Sequence, residues 1–200
     1  AGQHRRGASV AFVRAFPAGD MAGVGSALER MGFTKELSPA KSAEFAKDLG
    51  LSFRNVDNRI FEFELKGSTD EVFGIYTHSD VVPAIVENWV LDDGTKLHPF
   101  KAVVKEGKIY GRGTEDDKAS IAAALLAMKA IKDNKVPLKR SIRLMIETTE
   151  ETGGEGFEYY KERNKIPSHN IVLDSSYPAV VAEKGFGVVS TTFVKRDVRY

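Results

Sequence analysis

The chain of 200 residues contains no cysteine. This absence excludes disulfide bonds, thiolate nucleophiles and cysteine-based zinc sites within it. A metal ion would have to be held by histidine nitrogen and carboxylate oxygen instead. Cysteine usage is also what indicates the redox compartment of a protein, so this sequence carries no indication of its compartment. We expect a cytoplasmic protein, with export after removal of a signal as the alternative.

Long apolar runs and an excess of one charge are missing as well. The longest apolar run, from Ile121 to Met128, is far shorter than the roughly 20 residues that a membrane-spanning helix needs. Lysine and arginine (29) nearly balance aspartate and glutamate (28), and no long basic stripe is present. Such a stripe is what a phosphate backbone requires. We therefore expect neither a membrane nor a nucleic acid as a partner.

Hydrophobic periodicity predicts an α/β fold in a single main domain. Apolar residues at helical spacing predict helices over residues 23–33, 39–50, 116–134 and 153–164. Alternation predicts strands over residues 51–57, 59–66, 71–78, 140–147 and 170–174, the first three as a meander. Strand, helix and strand in this order are typical of a sheet with crossover helices. We predict a central mixed β-sheet flanked by helices.

Three further segments have their own signatures. The stretch "AVVKEGKIYG", residues 102–111, predicts a β-hairpin. Residues 81–101 contain two prolines and the only tryptophan, which favours a functional loop. Residues 185–200 have a strand-like pattern.

Acidic and histidine residues recur where predicted strands end or predicted helices begin. The four groups are His78 with Asp80, Asp116 with Asp117, Glu150 with Glu151, and Asp174. In open α/β sheets, ligands bind at the carboxyl ends of the strands. The alternatives for the four groups, in order, are a surface or hydrogen-bonded histidine, helix capping, a solvated face before a helix, and an ordinary turn residue. These alternatives do not explain why all four groups recur at one edge, where carboxylates raise one another's pKa unless a cation compensates them.

Zinc, bound as a pair of ions, is the cation that suits the side chains at this edge of the sheet. Histidine nitrogen and carboxylate oxygen are the zinc ligands that remain when thiolate is absent. His78 can bind a metal through one ring nitrogen only if the other is held, and a nearby carboxylate orients the ring and raises its basicity. Asp80 is placed for that supporting role.

Five motifs in order carry a family resemblance. They are "HSDVVP", a tryptophan followed by "HPF", "GKIYGRGTEDDK", "ETTEETGG" and "LDSSYPAVVAEKG". From about residue 51 to residue 187 the chain resembles the dinuclear zinc metallopeptidases. That family includes dipeptidases, tripeptidases, glutamate carboxypeptidase, aminoacylase and succinyl-diaminopimelate desuccinylase.

The resemblance implies a role for each site residue. It implies that His78 and Asp174 bind one zinc ion, that Glu151 binds the other, and that Asp116 bridges the two. It implies that Glu150 is the general base, and that a cis peptide bond joins Asp116 to the residue after it. Cobalt or manganese could take the place of zinc.

The resemblance also implies parts that the 200 residues do not supply. We expect residues 1–186 to be the N-terminal portion of the catalytic domain, and residues 187–200 to begin a lid domain through which a homodimer could form. The second zinc ion of the family takes a further histidine, and His4, His98 and His169 match no such motif. We therefore expect the rest of the same protein, with its lid and that histidine, to complete the site.

The substrate class follows from one position of the family pattern. In this family an aspartate at the position of Asp174 accompanies dipeptidases and aminopeptidases, whereas glutamate accompanies carboxypeptidases and deacylases. The insertion "ENWVLDDGTKLHPF" also resembles the dipeptidase branch. We expect a dipeptidase or aminopeptidase-like exopeptidase acting on short peptides. Two alternatives stay open: an N-acyl-amino-acid deacylase or desuccinylase with the same two-zinc site, and a non-catalytic metal-binding fragment.

Overall fold

The computed structural model describes residues 10–11, 38–175, 180–182 and 189–192. The helix predicted over residues 23–33 and the domain boundary predicted after residue 186 lie outside these ranges. Of the strand-like segment 185–200, only residues 189–192 are described, and they form no strand. Among the described residues, no helix is long and apolar enough to cross a membrane.

Helix α1 spans Pro39–Leu49, as the sequence predicts. Proline suits the start of a helix, because an N–H at that position would have no acceptor within the helix. Gly50 ends the helix in the left-handed conformation, at a φ of 64°, which glycine adopts without steric cost. Phe45 and Leu49 are buried and fix the helix face that packs on the sheet.

The described residues form eight strands. They are β1 (Val10–Ala11), β2 (Ser52–Val56), β3 (Ile60–Leu65), β4 (Val72–His78), β5 (Val103–Lys105), β6 (Lys108–Tyr110), β7 (Ser141–Glu147) and β8 (His169–Val172). Five of them form the central sheet in the order β2-β3-β7-β4-β8. The pairs β2–β3 and β3–β7 are antiparallel, and β4 is parallel to both β7 and β8. The sheet is mixed, which confirms the predicted fold class.

The predicted meander of β2, β3 and β4 is wrong at its last step. Strand β7 lies between β3 and β4, and pairs with β4 along its whole length and with β3 over residues 142–147. The reason is burial: the last four residues of β7 are buried, so its backbone needs hydrogen-bond partners on both edges. The polar turn after β3 gives the chain room to step across one strand position. Neighbours in sequence are therefore not neighbours in this part of the sheet.

Helices cover both faces of the sheet. Helix α2 spans Lys118–Asp133 and helix α3 spans Glu155–Arg163. Buried residues of α1 and α2 pack on one face, around Phe61 and Leu144. On the other face Tyr160 of α3 packs against Ile60 and Met145. Alternate residues of β3 thus enter different cores, as the pleat of a strand requires.

Outside the central sheet, β5 and β6 form the predicted hairpin. Its turn residues, Glu106 and Gly107, have φ values of 52° and 71°. Positive φ at both turn positions is the geometry that matches the twist of a two-residue hairpin. Strand β1 adds to the outer edge of β6. The loop 81–101 contains one short 3-10 turn, Val86–Asn88, and a single bridge between Val90 and Lys96.

The parallel strands β4, β7 and β8 bring their carboxyl ends to one edge of the sheet. His78 ends β4 and lies opposite Glu147, which ends β7. Strand β8 ends two residues before Asp174. The sheet topology therefore collects three of the four predicted groups.

Candidate metal centre

His78 is the centre of the collected side chains. Its Nε2 atom lies 2.9 Å from Oδ1 of Asp116, 3.5 Å from Oδ2 of Asp174 and 4.0 Å from Oε2 of Glu150. The histidine is 1% exposed, whereas these three carboxylates are 37% to 60% exposed. The imidazole thus forms the floor of the site, and the carboxylates form a rim that faces solvent.

The donor atoms fall into two overlapping groups. His78, Asp116 and Asp174 form one, and His78, Glu150 and Glu151 form the other; within each group the donor atoms lie within 4.8 Å of one another. His78 belongs to both groups. The resemblance instead gave Asp116 the bridging position.

Asp116 and Asp117 send their carboxylates to different places. The bond between them is a cis peptide, as predicted. Asp116 contacts His78, whereas Asp117 is 2% exposed and accepts a hydrogen bond from the Thr77 hydroxyl. Asp117 stands at the N-cap position of α2, but its side chain bonds no backbone N–H of the helix. Helix capping does not account for this pair.

Glu150 and Glu151 lie in a 3-10 turn, Glu150–Thr152, that follows β7. The carboxylate of Asp80 holds this turn: it accepts hydrogen bonds from the backbone N–H of Glu150 at 3.1 Å and of Glu151 at 3.0 Å. Sequence reasoning did not foresee these two bonds. They tie the turn to the end of β4.

Asp80 also faces the imidazole. Its Oδ1 lies 3.3 Å from Nδ1 of His78, and its backbone carbonyl oxygen lies 3.1 Å from the same atom. A single residue therefore contacts the ring nitrogen that points away from the rim, and leaves Nε2 directed at the carboxylates.

A second buried carboxylate, which sequence reasoning missed, anchors the far end of the turn. Glu147 is 1% exposed and accepts hydrogen bonds from the hydroxyls of Tyr76 and Thr149 and from the backbone N–H of Phe157. Phe157 lies in the first turn of α3, where unpaired N–H groups attract an anion. Glu147 therefore links β4, β7 and α3 beneath the turn that carries Glu150.

A second missed residue is Lys118, the first residue of α2, which is only 4% exposed. The sequence does contain a signal for it. Lys118, Ile121, Ala122 and Leu125 have the spacing of one helix face, and the other three are apolar. A lysine on the buried face of a helix beside an acidic pair indicates a buried ammonium group at the site.

The electrostatics of the cluster are those of a site that attracts cations. Burial opposes protonation of His78, but hydrogen bonds with Asp116 and Asp80 outweigh burial and raise the pKa of the imidazole to about 11. Burial raises the pKa of Glu150 and of Glu151, and neighbouring carboxylates add to both effects. Both glutamates are thus harder to ionise than a free glutamate, mainly because of burial and in part because other carboxylates are close.

The residues fit a metal ion. Nε2 of His78 and Oδ1 of Asp116 lie 2.9 Å apart, within hydrogen-bond distance. Both are ligand atoms for zinc and similar divalent ions, so an ion bound by both would replace the direct contact between them. Each group offers one imidazole and two carboxylates, and three protein ligands are usual at a catalytic zinc ion.

The profile of peptidase family M20/M25/M40 matches residues 74–190, which is more than half of the chain. The chain belongs to this family. The match includes His78, Asp116, Glu150, Glu151 and Asp174, and confirms the resemblance that the motifs indicated. Assignment to the dipeptidase branch stays a prediction.

Two curated relatives and one solved structure show what this peptidase-family chain is similar to. YtjP of Bacillus subtilis strain 168 is 34% identical over 142 residues, which are 71% of this chain and 29% of that protein. The Beta-Ala-Xaa dipeptidase of Lactobacillus delbrueckii subsp. lactis is 33% identical over 160 residues, 80% of this chain and 32% of that protein. The crystal structure of human carnosine dipeptidase 1 aligns with a TM-score of 0.63 at 23% identity, covering 79% of this chain and 39% of that one. The structural likeness supports the fold, and the chain spans about a third of the length of its curated relatives.

Proposed function

We propose that the protein containing this chain is a zinc-dependent exopeptidase that hydrolyses the amide bond of dipeptides or short peptides. One observation carries the proposal: the donor atoms of His78, Asp116 and Asp174 converge within 4.8 Å at the carboxyl edge of the sheet, with Glu150 beside them. Family membership supports peptide hydrolysis by a metal-binding enzyme.

In the proposed site, His78 and Asp174 would hold one zinc ion, Glu151 would hold the other, and Asp116 would contribute to both. When bound, such a pair polarises the substrate carbonyl and lowers the pKa of water. For the second ion these residues provide only two ligands. We therefore infer that a third comes from a part of the protein outside these 200 residues.

Glu150 is proposed to be the general base and then the general acid of the reaction. Its carboxylate is 40% exposed and lies 4.0 Å from Nε2 of His78, so it borders the donor atoms and remains open to substrate. Glu150 would accept a proton from the attacking water as the oxygen–carbon bond forms. It would then donate that proton to the amine nitrogen as the carbon–nitrogen bond breaks. Anchoring of its turn by Asp80 keeps the carboxylate in place for both transfers.

The substrate is proposed to be a peptide with a free amino terminus. Asp174 is the residue type that accompanies dipeptidases in this family, and a relative at 33% identity is named a Beta-Ala-Xaa dipeptidase. An N-acyl-amino-acid deacylase would use the same donor atoms and differ only in the group recognised beside the scissile bond.

A comparison of dipeptides with an N-acetyl amino acid separates these two activities. We expect the full-length protein loaded with zinc, cobalt or manganese to hydrolyse Ala-Ala and β-Ala-Ala at least tenfold faster, in kcat/KM, than N-acetyl-alanine. A chelator should abolish the activity, and added metal should restore it. Faster hydrolysis of N-acetyl-alanine than of the dipeptides would assign the protein to the deacylases, and metal binding without either activity would identify a non-catalytic site.

Asp80 offers a test of the proposed ligand geometry. We expect Asp80→Ala to weaken zinc binding by roughly ten- to a hundredfold, the usual effect of losing a group that orients a metal-binding histidine. The affinity is measured in the full-length protein by competition with a chromophoric chelator. Asp92→Ala, at an exposed position of the loop 81–101, is the matched control and should bind zinc like the wild type. Wild-type affinity in Asp80→Ala would limit Asp80 to a role in the turn.

A further inference from the structure

Lys118 is a charged residue beneath the site that the proposed reaction does not use. It is 4% exposed, and its Nζ donates a hydrogen bond to the carbonyl oxygen of Ser79 at 2.5 Å. Removing an ammonium group from water is costly unless partners compensate it. Ser79 lies between His78 and Asp80, so this bond reaches the centre of the tripeptide that supplies the imidazole and its supporting carboxylate.

The surroundings of Lys118 leave room for an ammonium group. Gly113 has a φ of +81°, and a Cβ atom there would lie 3.1 Å from Nζ of Lys118 and 2.4 Å from a methyl carbon of Val81. The N–H of Lys118 donates to the carbonyl oxygen of Gly113 at 3.1 Å. Glycine at this position therefore lets the loop before α2 close over the ammonium group.

The other polar atoms of Ser79 are held from the opposite side. Its N–H and its hydroxyl both donate to the carbonyl oxygen of Glu147, at 2.8 and 3.0 Å. Ser79 thus joins the end of β7 through two donors and the start of α2 through its own carbonyl. Without the lysine, the carbonyl would lose the bond that connects this tripeptide to α2.

We propose that Lys118 is a positioning residue of the metal site: its ammonium group fixes the Ser79 carbonyl and thereby the placement of the His78 ring and the Asp80 carboxylate. The inference rests on the proposed function and adds a residue to it. Lys118 is not proposed to be a ligand.

Lys118 could act on the metal site through its charge or by positioning other groups, and these two roles predict opposite effects of its replacement on zinc affinity. Lys118 lies close enough to interact electrostatically with Asp80, Asp116 and Asp117. If the lysine acted only through its charge, replacing it with a neutral residue would strengthen binding of a divalent cation. If it acts by positioning, the same replacement weakens binding, because His78 and Asp80 are no longer held.

The experiment compares Lys118→Met with Lys129→Met in the full-length protein. Lys129 lies on the same helix, is 40% exposed and pairs with Asp133, so it controls for loss of a lysine from α2. The probe is zinc alone, titrated in competition with a chromophoric chelator. We expect Lys118→Met to weaken zinc binding about ten- to a hundredfold, and Lys129→Met to leave it unchanged.

The thermal midpoint of the metal-free proteins separates positioning from general support of the fold. A purely structural lysine would lower the midpoint and leave zinc affinity as in the wild type, and that result would overturn the proposal. If Lys118→Met does not fold, Lys118→Gln replaces it; its shorter neutral side chain does not reach Ser79 either. A folded neutral variant that binds zinc as tightly as the wild type, or more tightly, contradicts positioning. Failure of the proposed function is a different result, since the wild type itself would then neither bind zinc nor cleave peptides.

Discussion

Glu150→Gln should reduce kcat by about a hundred- to ten-thousandfold, the range in which a general acid–base group contributes to catalysis. The amide has nearly the size of the carboxylate but does not accept the proton of the attacking water. Because Glu150 is proposed not to be a ligand, zinc content should stay at the wild-type value. The measurement combines steady-state kinetics on Ala-Ala with elemental analysis of the same full-length preparation.

A nearby glutamate provides the control for that substitution. Glu155 begins α3, its side chain is 80% exposed, and its only described ion pair is a contact of 3.9 Å with Arg59. Glu155→Gln should therefore leave both kcat and zinc content unchanged. If Glu150→Gln instead lost zinc together with activity, Glu150 would be the ligand and Glu151 would be the better candidate for the base.

His78→Ala should have the second large effect, on metal binding itself. Binding of a structural zinc ion by four ligands releases roughly 10–16 kcal/mol, so one ligand contributes on the order of 3 kcal/mol, or about a hundredfold in affinity. His78 is the only nitrogen donor in either group of the described residues, and it belongs to both. In the proposed site His78 is a ligand of the ion that Asp174 also holds, so we expect that ion to be lost at zinc concentrations that saturate the wild type, with activity lost in parallel.

His98→Ala is the matched control for His78→Ala. His98 is exposed in the loop 81–101, where one ring nitrogen accepts a hydrogen bond from the N–H of Phe100. Its replacement should change neither zinc content nor kcat. Retention of both ions by His78→Ala would show that the carboxylates alone suffice and would remove the histidine from the proposed ligand set.

The sequence predicts which residues form each helix and strand better than it predicts which strands lie side by side in the sheet. Periodicity and end signals locate α1, because Pro39 and Gly50 act through local backbone geometry that the sequence displays directly. The position of β7 between β3 and β4 is not local. It depends on which strand best supplies hydrogen-bond partners to the buried edges of both β3 and β4. No sequence pattern within β3 or β4 indicates which strand that is.

The same division holds in the site. Three of the four groups could be predicted to converge, because each follows the end of a parallel strand and such strands end together. The fourth, Asp116 with Asp117, precedes helix α2 instead. Contacts of backbone atoms could not be predicted: the bonds from Glu150 and Glu151 to Asp80, and from Lys118 to the Ser79 carbonyl, depend on where two distant turns meet. Sequence patterns identify side-chain chemistry, whereas these contacts arise only from the folded backbone.

The insertion of β7 between β3 and β4 has a consequence for synthesis of the chain. Residues 66–140 separate the end of β3 from the start of β7. At roughly 5–20 residues per second, translation of these 75 residues takes about 4–15 s. During that interval the edge of β3 that pairs with β7 has no native partner strand, and the unpaired N–H and C=O groups of such an edge are a template for association with other chains. We therefore expect the ribosome-bound intermediate to be more exposed to aggregation than the folded chain is.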